Sequence, residues 1–285
     1  MLFFELHKKY NNYIEICAQK NEEKLRARLH MSFFFRNFAA AKYAFQKMNH
    51  MKDEVIEAEI VIDESRREVI GELMRNVYLW MAGGLGLTGV FAWIVANSEQ
   101  LLSIIFGSQV VFWGLFIGEL ALVVILSGII QKLRFGTAAI LFMLYCILNG
   151  MTMSTIFLLY ELSSVCEIFF VTAGAFAGLA FVGTVIKKDL SGFGTFLLIA
   201  LIGLIIASVV GSLMGHPDSI WISALGVLIF AGLTVYDAQK IRMLMMNQET
   251  VNEGAMKIAL LGALSLYLDF INLFLRLLSI FGKRR

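Results

Sequence analysis

The sequence predicts an all-α integral membrane protein with seven transmembrane helices, the seventh central and surrounded by the other six. Three observations carry that expectation. The 285 residues are 59% hydrophobic, apart from 24 glycines, and only 16% charged, against roughly 25% charged in a soluble domain. Of the 46 charged residues (24 basic, 22 acidic), 25 fall within residues 1–75, which leaves the remainder almost uniformly apolar. Finally, the last apolar run holds Asp269, Asn272 and Arg276, a set that a lipid-facing helix would not tolerate, so that helix is expected to be shielded. A soluble globule could not hide this much apolar surface behind so little charge. Disordered, collagenous and disulfide-rich classes are excluded by the same numbers, and a net charge of +2 argues against a nucleic-acid partner.

Residues 1–75 read as a charged cytosolic or interfacial extension and residues 76–285 as the membrane domain. MLFFELHKKY has its charges on the wrong side of a short apolar run for a signal peptide. MSFFFRNFAAAKYAFQKMNH (31–50) mixes aromatics with bases as a membrane-surface segment would, while Met51 and the charged run after it read equally well as a start. Apolar stretches then follow at 77–96, 110–131, 136–159, 167–186, 193–214, 219–240 and 255–281, each near the ~20 residues that cross a bilayer core. Arg66, Arg67 and Arg75 precede the first, Lys132 and Arg134 follow the second, Lys187 and Lys188 the fourth, and Lys240, Arg242 and Lys257 flank the sixth turn. The intervening connections 97–109, 160–166 and 215–219 have no Lys or Arg. This alternation puts the N-terminus in the cytosol. The last segment breaks the pattern: seven full crossings leave Lys283, Arg284 and Arg285 outside, unless the segment is re-entrant. Cys17, Cys146 and Cys166 suggest neither a disulfide framework nor a zinc site.

GLGLTG (84–89) matches a dinucleotide fingerprint literally, but it lies within a membrane span without the strand and acidic residue that chemistry needs. Close helix packing is the better reading for Gly83, Gly84, Gly86 and Gly89, for Gly174 and Gly178, and for the ladder Gly203, Ala207, Gly211. Ionisable groups inside the spans are more informative, each costing about 2.5–3.5 kcal/mol at a helix centre. Glu119 falls midway along the second span, Asp237 near the inner end of the sixth, and Asp269 midway along the seventh, with Arg276 two turns beyond it on the same face. Asp237 could simply pair with Lys240 or Arg242 at the interface, and Asp269 with Arg276 through water. If 241–246 continues the sixth helix, the two aspartates lie within two turns of each other in height, at ~1.5 Å per residue. Two carboxylates in contact in a low-dielectric site cannot both ionise easily and titrate as a unit. Such a pair is a natural proton switch and a plausible site for a hard cation.

At these residues the sequence resembles the Bax inhibitor family. VYDAQKIR (235–242) followed by GALSLYLDFINLFLRLLSIFG (262–282) closely resembles that family's signature, and 76–93 and 118–128 fit its first two spans. The likeness covers about residues 70–282 and is strongest to the bacterial branch, which implies a bacterial inner membrane as the location. It implies a seven-helix fold with a central last helix and a pH-sensitive calcium leak, whose sensor pair maps onto Asp237 and Asp269, with Glu119 as a pore or gate acid. The family arginine that latches onto the pair would fall at Ile129 or Ile130, so Arg276 or Lys132 becomes the candidate counter-charge.

Three functions compete. The first is the leak channel, non-enzymatic and without a cofactor, with calcium, protons and membrane lipid as its partners. A second is a regulatory protein that binds a membrane protease or cell-death factor, with residues 1–75 for docking. The third, an intramembrane aspartyl protease, lacks the GxGD and Pro-Ala-Leu motifs that position such a dyad.

Overall fold

The computed structural model describes residues 64–213 and 220–285; the expectations for residues 1–50 and for His216 lie outside them. Helix α1 spans Glu64–Ala96, α2 Glu99–Gly107, α3 Gln109–Ile129, α4 Phe135–Met153, α5 Thr155–Leu159, α6 Leu162–Val185, α7 Ser191–Leu213, α8 Ile220–Met246 and α9 Glu253–Phe281. Among the described residues seven stretches are long and apolar enough to cross a membrane: α1, α3, α4 with α5, α6, α7, α8 and α9. In lipid the backbone must satisfy its own hydrogen bonds, which is why apolar runs of this length resolve into helices.

Each expected span is found, with informative differences at the edges. The 97–109 connection is not a bare loop. Ser98 caps α2 by accepting from Leu101 N (3.4 Å), and Ser108 caps α3 by accepting from Val111 N (3.5 Å). The third span tightens at Ser154, whose Oγ donates to Met151 O at 2.7 Å. Helix α1 runs unbroken through residue 75, so the step in charge density at that point is not a structural break. Asn252 caps α9, its Oδ1 accepting from Ala255 N at 2.9 Å.

Burial separates α9 from the rest. Of its apolar stretch 78% is buried, against 28–56% for the other six. It packs chiefly on α1, α4, α6 and α8, while α3 leans on α4 and α7 on α8. Ring contacts secure it on two sides, with Phe270 against Phe169 and Phe176 of α6 (5.4 Å each) and Tyr267 against Phe142 and Tyr145 of α4 (6.0 and 5.7 Å).

α9 is one continuous helix, long and apolar enough to cross, without the break that a re-entrant segment needs. Its tail pairs with the connection after α5: Glu161 N donates to Lys283 O (3.0 Å) and Arg285 N to Leu159 O (3.1 Å), around an antiparallel Tyr160–Arg284 bridge. Lys283, Arg284 and Arg285 therefore lie on the side of the 160–166 loop, held by backbone hydrogen bonds despite the charge rule.

The glycines need a correction. Gly84 does serve close approach, because a Cβ there would sit 2.9 Å from Cys146 Sγ and Phe142. Gly83, Gly86, Gly89, Gly174, Gly178 and Gly203 do not, since a Cβ at any of them meets nothing within 4 Å. Those positions face outward or into a cleft. Tight crossings are instead at Gly150, whose Cβ would lie 2.6 Å from Thr88 O, and at Gly183, whose Cβ would run into the Val235 carbonyl of α8.

Candidate functional site

Helices α8 and α9 run antiparallel along one seam. A Cβ on Gly262 would meet Ile241 at 3.1 Å, Asp237 accepts a hydrogen bond from Ser265, a Cβ on Gly226 would meet Arg276 Nε at 2.9 Å, and Ser223 bonds Ser279 at 3.1 Å. The α9 members, at 262, 265, 276 and 279, are spaced by close to one or three whole turns and so share one face of the helix. This register sets position 233 opposite Asp269, so Asp237 lies one turn away, about 6 Å along the axis. Helix α8 continues through Met246, and the offset of under two turns is in fact one.

Asp237 and Asp269 act electrostatically on each other, and Lys240, one turn beyond Asp237, acts on Asp237 in the opposite sense. Asp237 is half-buried, whereas Asp269 is only 6% exposed. The Asp269 Oδ2 is buried without a hydrogen-bond partner among the described residues. An oxygen in that position gains most from carrying or sharing a proton.

The other two predicted residues stand elsewhere. Glu119, 2% exposed, sits on the opposite side of α9. It accepts from Thr152 Oγ1 at 2.8 Å and from Asn149 Nδ2 at 3.3 Å. Asn149 Oδ1 accepts from Tyr267 OH at 3.0 Å, Tyr267 OH bonds Thr88 Oγ1 at 2.6 Å, and Thr88 Oγ1 donates to Cys146 O at 3.0 Å. Two hydroxyl protons, on Thr88 and Tyr267, thus serve three contacts.

Arg276, 3% exposed, lies two turns past Asp269, about 10 Å along the helix. It packs over Gly226 and donates from Nη2 to Ser208 Oγ of α7 at 3.4 Å. The structure does not bring it to the aspartates. At the arginine position of the family pattern, Ile130 is fully buried and Ile129 is exposed, and Lys132 is exposed at the rim.

Several residues of the site escaped the sequence reading. Ser265, Asn149, Thr152, Tyr267 and Thr88 are neutral, and nothing along the chain shows that they converge. Gln239 also went unnoticed. Its Nε2 donates to Ile186 O (3.0 Å) and Lys188 O (2.8 Å) and its Oε1 accepts from Leu190 N (3.1 Å), tying the α6–α7 connection to α8 two residues from Asp237. The usable signal was a polar amide inside an apolar span. Among the described residues no group of three or more His, Cys, Asp or Glu could hold a metal ion.

Comparison with known proteins bears on the whole membrane domain. The sequence profile of a family described as "Inhibitor of apoptosis-promoting Bax1" matches residues 70–285. The chain is 46% identical to the inner membrane protein YbhL of Escherichia coli over 214 residues, 74% of this chain and 92% of that protein. It is also 41% identical to an uncharacterised protein of Deinococcus radiodurans over 74% of this chain and 90% of the relative. A Borreliella burgdorferi protein matches at 36% over 79% of this chain and 99% of its own length.

Proposed function

The chain belongs to the Bax inhibitor family, and from that premise we propose that it is a pH-responsive calcium leak gated by Asp237 and Asp269. In this reading it lies in a bacterial inner membrane with its N-terminus in the cytosol. The observation that carries the proposal is the pairing across the α8–α9 seam, with Ser265 on Asp237 and the buried Asp269 Oδ2 without a partner.

Two carboxylates one turn apart in a low-dielectric site share protons and titrate as a unit. Losing a proton puts like charge on both sides of the seam, and the packing of α9 against α8 is the element that this charge biases. Calcium is the permeant ion rather than a resident cofactor. The two carboxylates and the Ser265 hydroxyl supply few of the 6–8 oxygens that calcium takes, so a passing ion keeps much of its water. Glu119 is the second acid of the pathway. Arg276 supplies a fixed positive charge farther along α9, not a latch on the pair.

The test is calcium entry into dye-loaded proteoliposomes from pH 5 to 8. Wild type is expected to show a pH-dependent flux, and Asp269→Asn a flux without that dependence. No flux above empty liposomes at any pH would overturn the channel reading.

A further inference from the structure

Helices α1 and α6 pack on α8 and α9 rather than mainly on each other, and a cleft opens between them. Its part nearer the α8 C-terminus is a cavity of about 720 Å³ running along α1 from Ile70 to Gly86, with Phe270 of α9 on its floor. A second cavity of about 440 Å³ continues it along α1 to Trp93. Both fall within the ~300–1,000 Å³ of ligand sites. The cleft exists because its walls are low. Ala82 and Gly86 on α1 and Ala177 on α6 are exposed, and a Cβ on Gly86 would touch nothing within 4 Å. From Ile70 to Trp93 it covers 23 helical residues, about 35 Å, the full depth of a hydrocarbon core of ~30 Å.

The lining is mostly apolar, with a few neutral polar groups such as Thr184 and one charged residue, which identifies the occupant. Arg242, near the end of α8, lines the mouth of the larger cavity and is half-buried there. No carboxylate pairs with it among the described residues. Ile70 near the start of α1 and Thr184 at the end of α6 mark the same end of the cleft, so the guanidinium stands where the bilayer's phosphate layer begins. A free phosphate would leave the apolar length below Arg242 unused, and an apolar ligand would leave the guanidinium without a counter-charge. We infer that the α1–α6 cleft binds one anionic phospholipid from the leaflet on Arg242's side, its phosphate on Arg242 and an acyl chain along α1 over Phe270. The chain then lies against the helix that carries Asp269, one residue from the acid.

The inference is tested by electron paramagnetic resonance on the full-length protein in phosphatidylcholine bilayers carrying a trace of spin-labelled phosphatidylglycerol or spin-labelled phosphatidylcholine. Wild type should immobilise phosphatidylglycerol beyond the shell of annular lipid, and in preference to phosphatidylcholine. Arg242→Gln should cut that preference about fivefold, the contribution of one basic side chain at an anionic headgroup, yet still immobilise a chain. Gly86→Leu, which fills open space, should lose the immobilised chain for both headgroups. Arg134→Gln, the same charge change on the exposed rim away from the cleft, should leave both readings at wild type. Annular lipid only in wild type, equal losses in Arg242→Gln and Arg134→Gln, or an unaltered immobilised fraction in Gly86→Leu would each overturn the assignment. None of these outcomes depends on whether the protein conducts calcium.

Discussion

On the face of α9 turned to α1, α3 and α4, Tyr267 joins Thr88, Asn149, Thr152 and Glu119 in a continuous hydrogen-bonded cluster. On the face turned to α8, two carboxylates one turn apart act on each other, and one oxygen of Asp269 lacks a partner among the described residues. Tyr267 and Asp269 are only two residues apart, yet ~200° apart around the helix. The first face fixes the position of α9, because every change there breaks bonds that lipid cannot replace. In the proposed gate the second is the face that gains and loses a proton, so that one face of α9 holds the helix and the other changes.

The contrast can be broken first on the holding side. Gly150→Leu would drive a side chain into the Thr88 carbonyl and is expected to cost at least ~3 kcal/mol, read as thermal unfolding in detergent. Its counterpart Gly86→Leu, with open space around the Cβ, should unfold like wild type. Asn149→Leu removes the link between Glu119 and Tyr267 and should cost about 2 kcal/mol in the same assay. Tyr267→Phe loses one hydroxyl from the cluster and should cost ~1 kcal/mol without moving the pH midpoint of calcium flux. A shifted midpoint would mean that the two faces are not separate. Asp269→Asn is expected to have the smallest effect on stability, neutral to stabilising by ~1 kcal/mol, because it removes a strained buried charge site.

How much of this the sequence could tell depends on the range of the interaction. Spans were legible because hydropathy is local, and the bounds of α3, α7 and α9 lie within a few residues of expectation, whereas α1 and α6 start earlier and α8 ends later. The Ser154 tightening and α2 were missed, since a serine near the end of an apolar run marks a bend no more than a continuation. The aspartate pair could be inferred from rise per residue, as α8 and α9 are consecutive and antiparallel. The Glu119 cluster could not, because Asn149 and Tyr267 are 118 residues apart and meet only through tertiary packing. Glycine spacing showed which positions were small, not which faced a helix. The side on which the tail emerges was likewise decided by long-range backbone bonds between 159–161 and 283–285.

The most direct test of the central claim is an infrared titration of the protonated-carboxyl band in reconstituted wild type, Asp237→Asn, Asp269→Asn and Glu119→Gln. If Asp237 and Asp269 titrate as one unit, wild type shows a pH-dependent band that vanishes when either aspartate is replaced and survives Glu119→Gln. A titrating band that persists in both aspartate variants and disappears in Glu119→Gln would contradict the account and move the proton switch to the other face of α9.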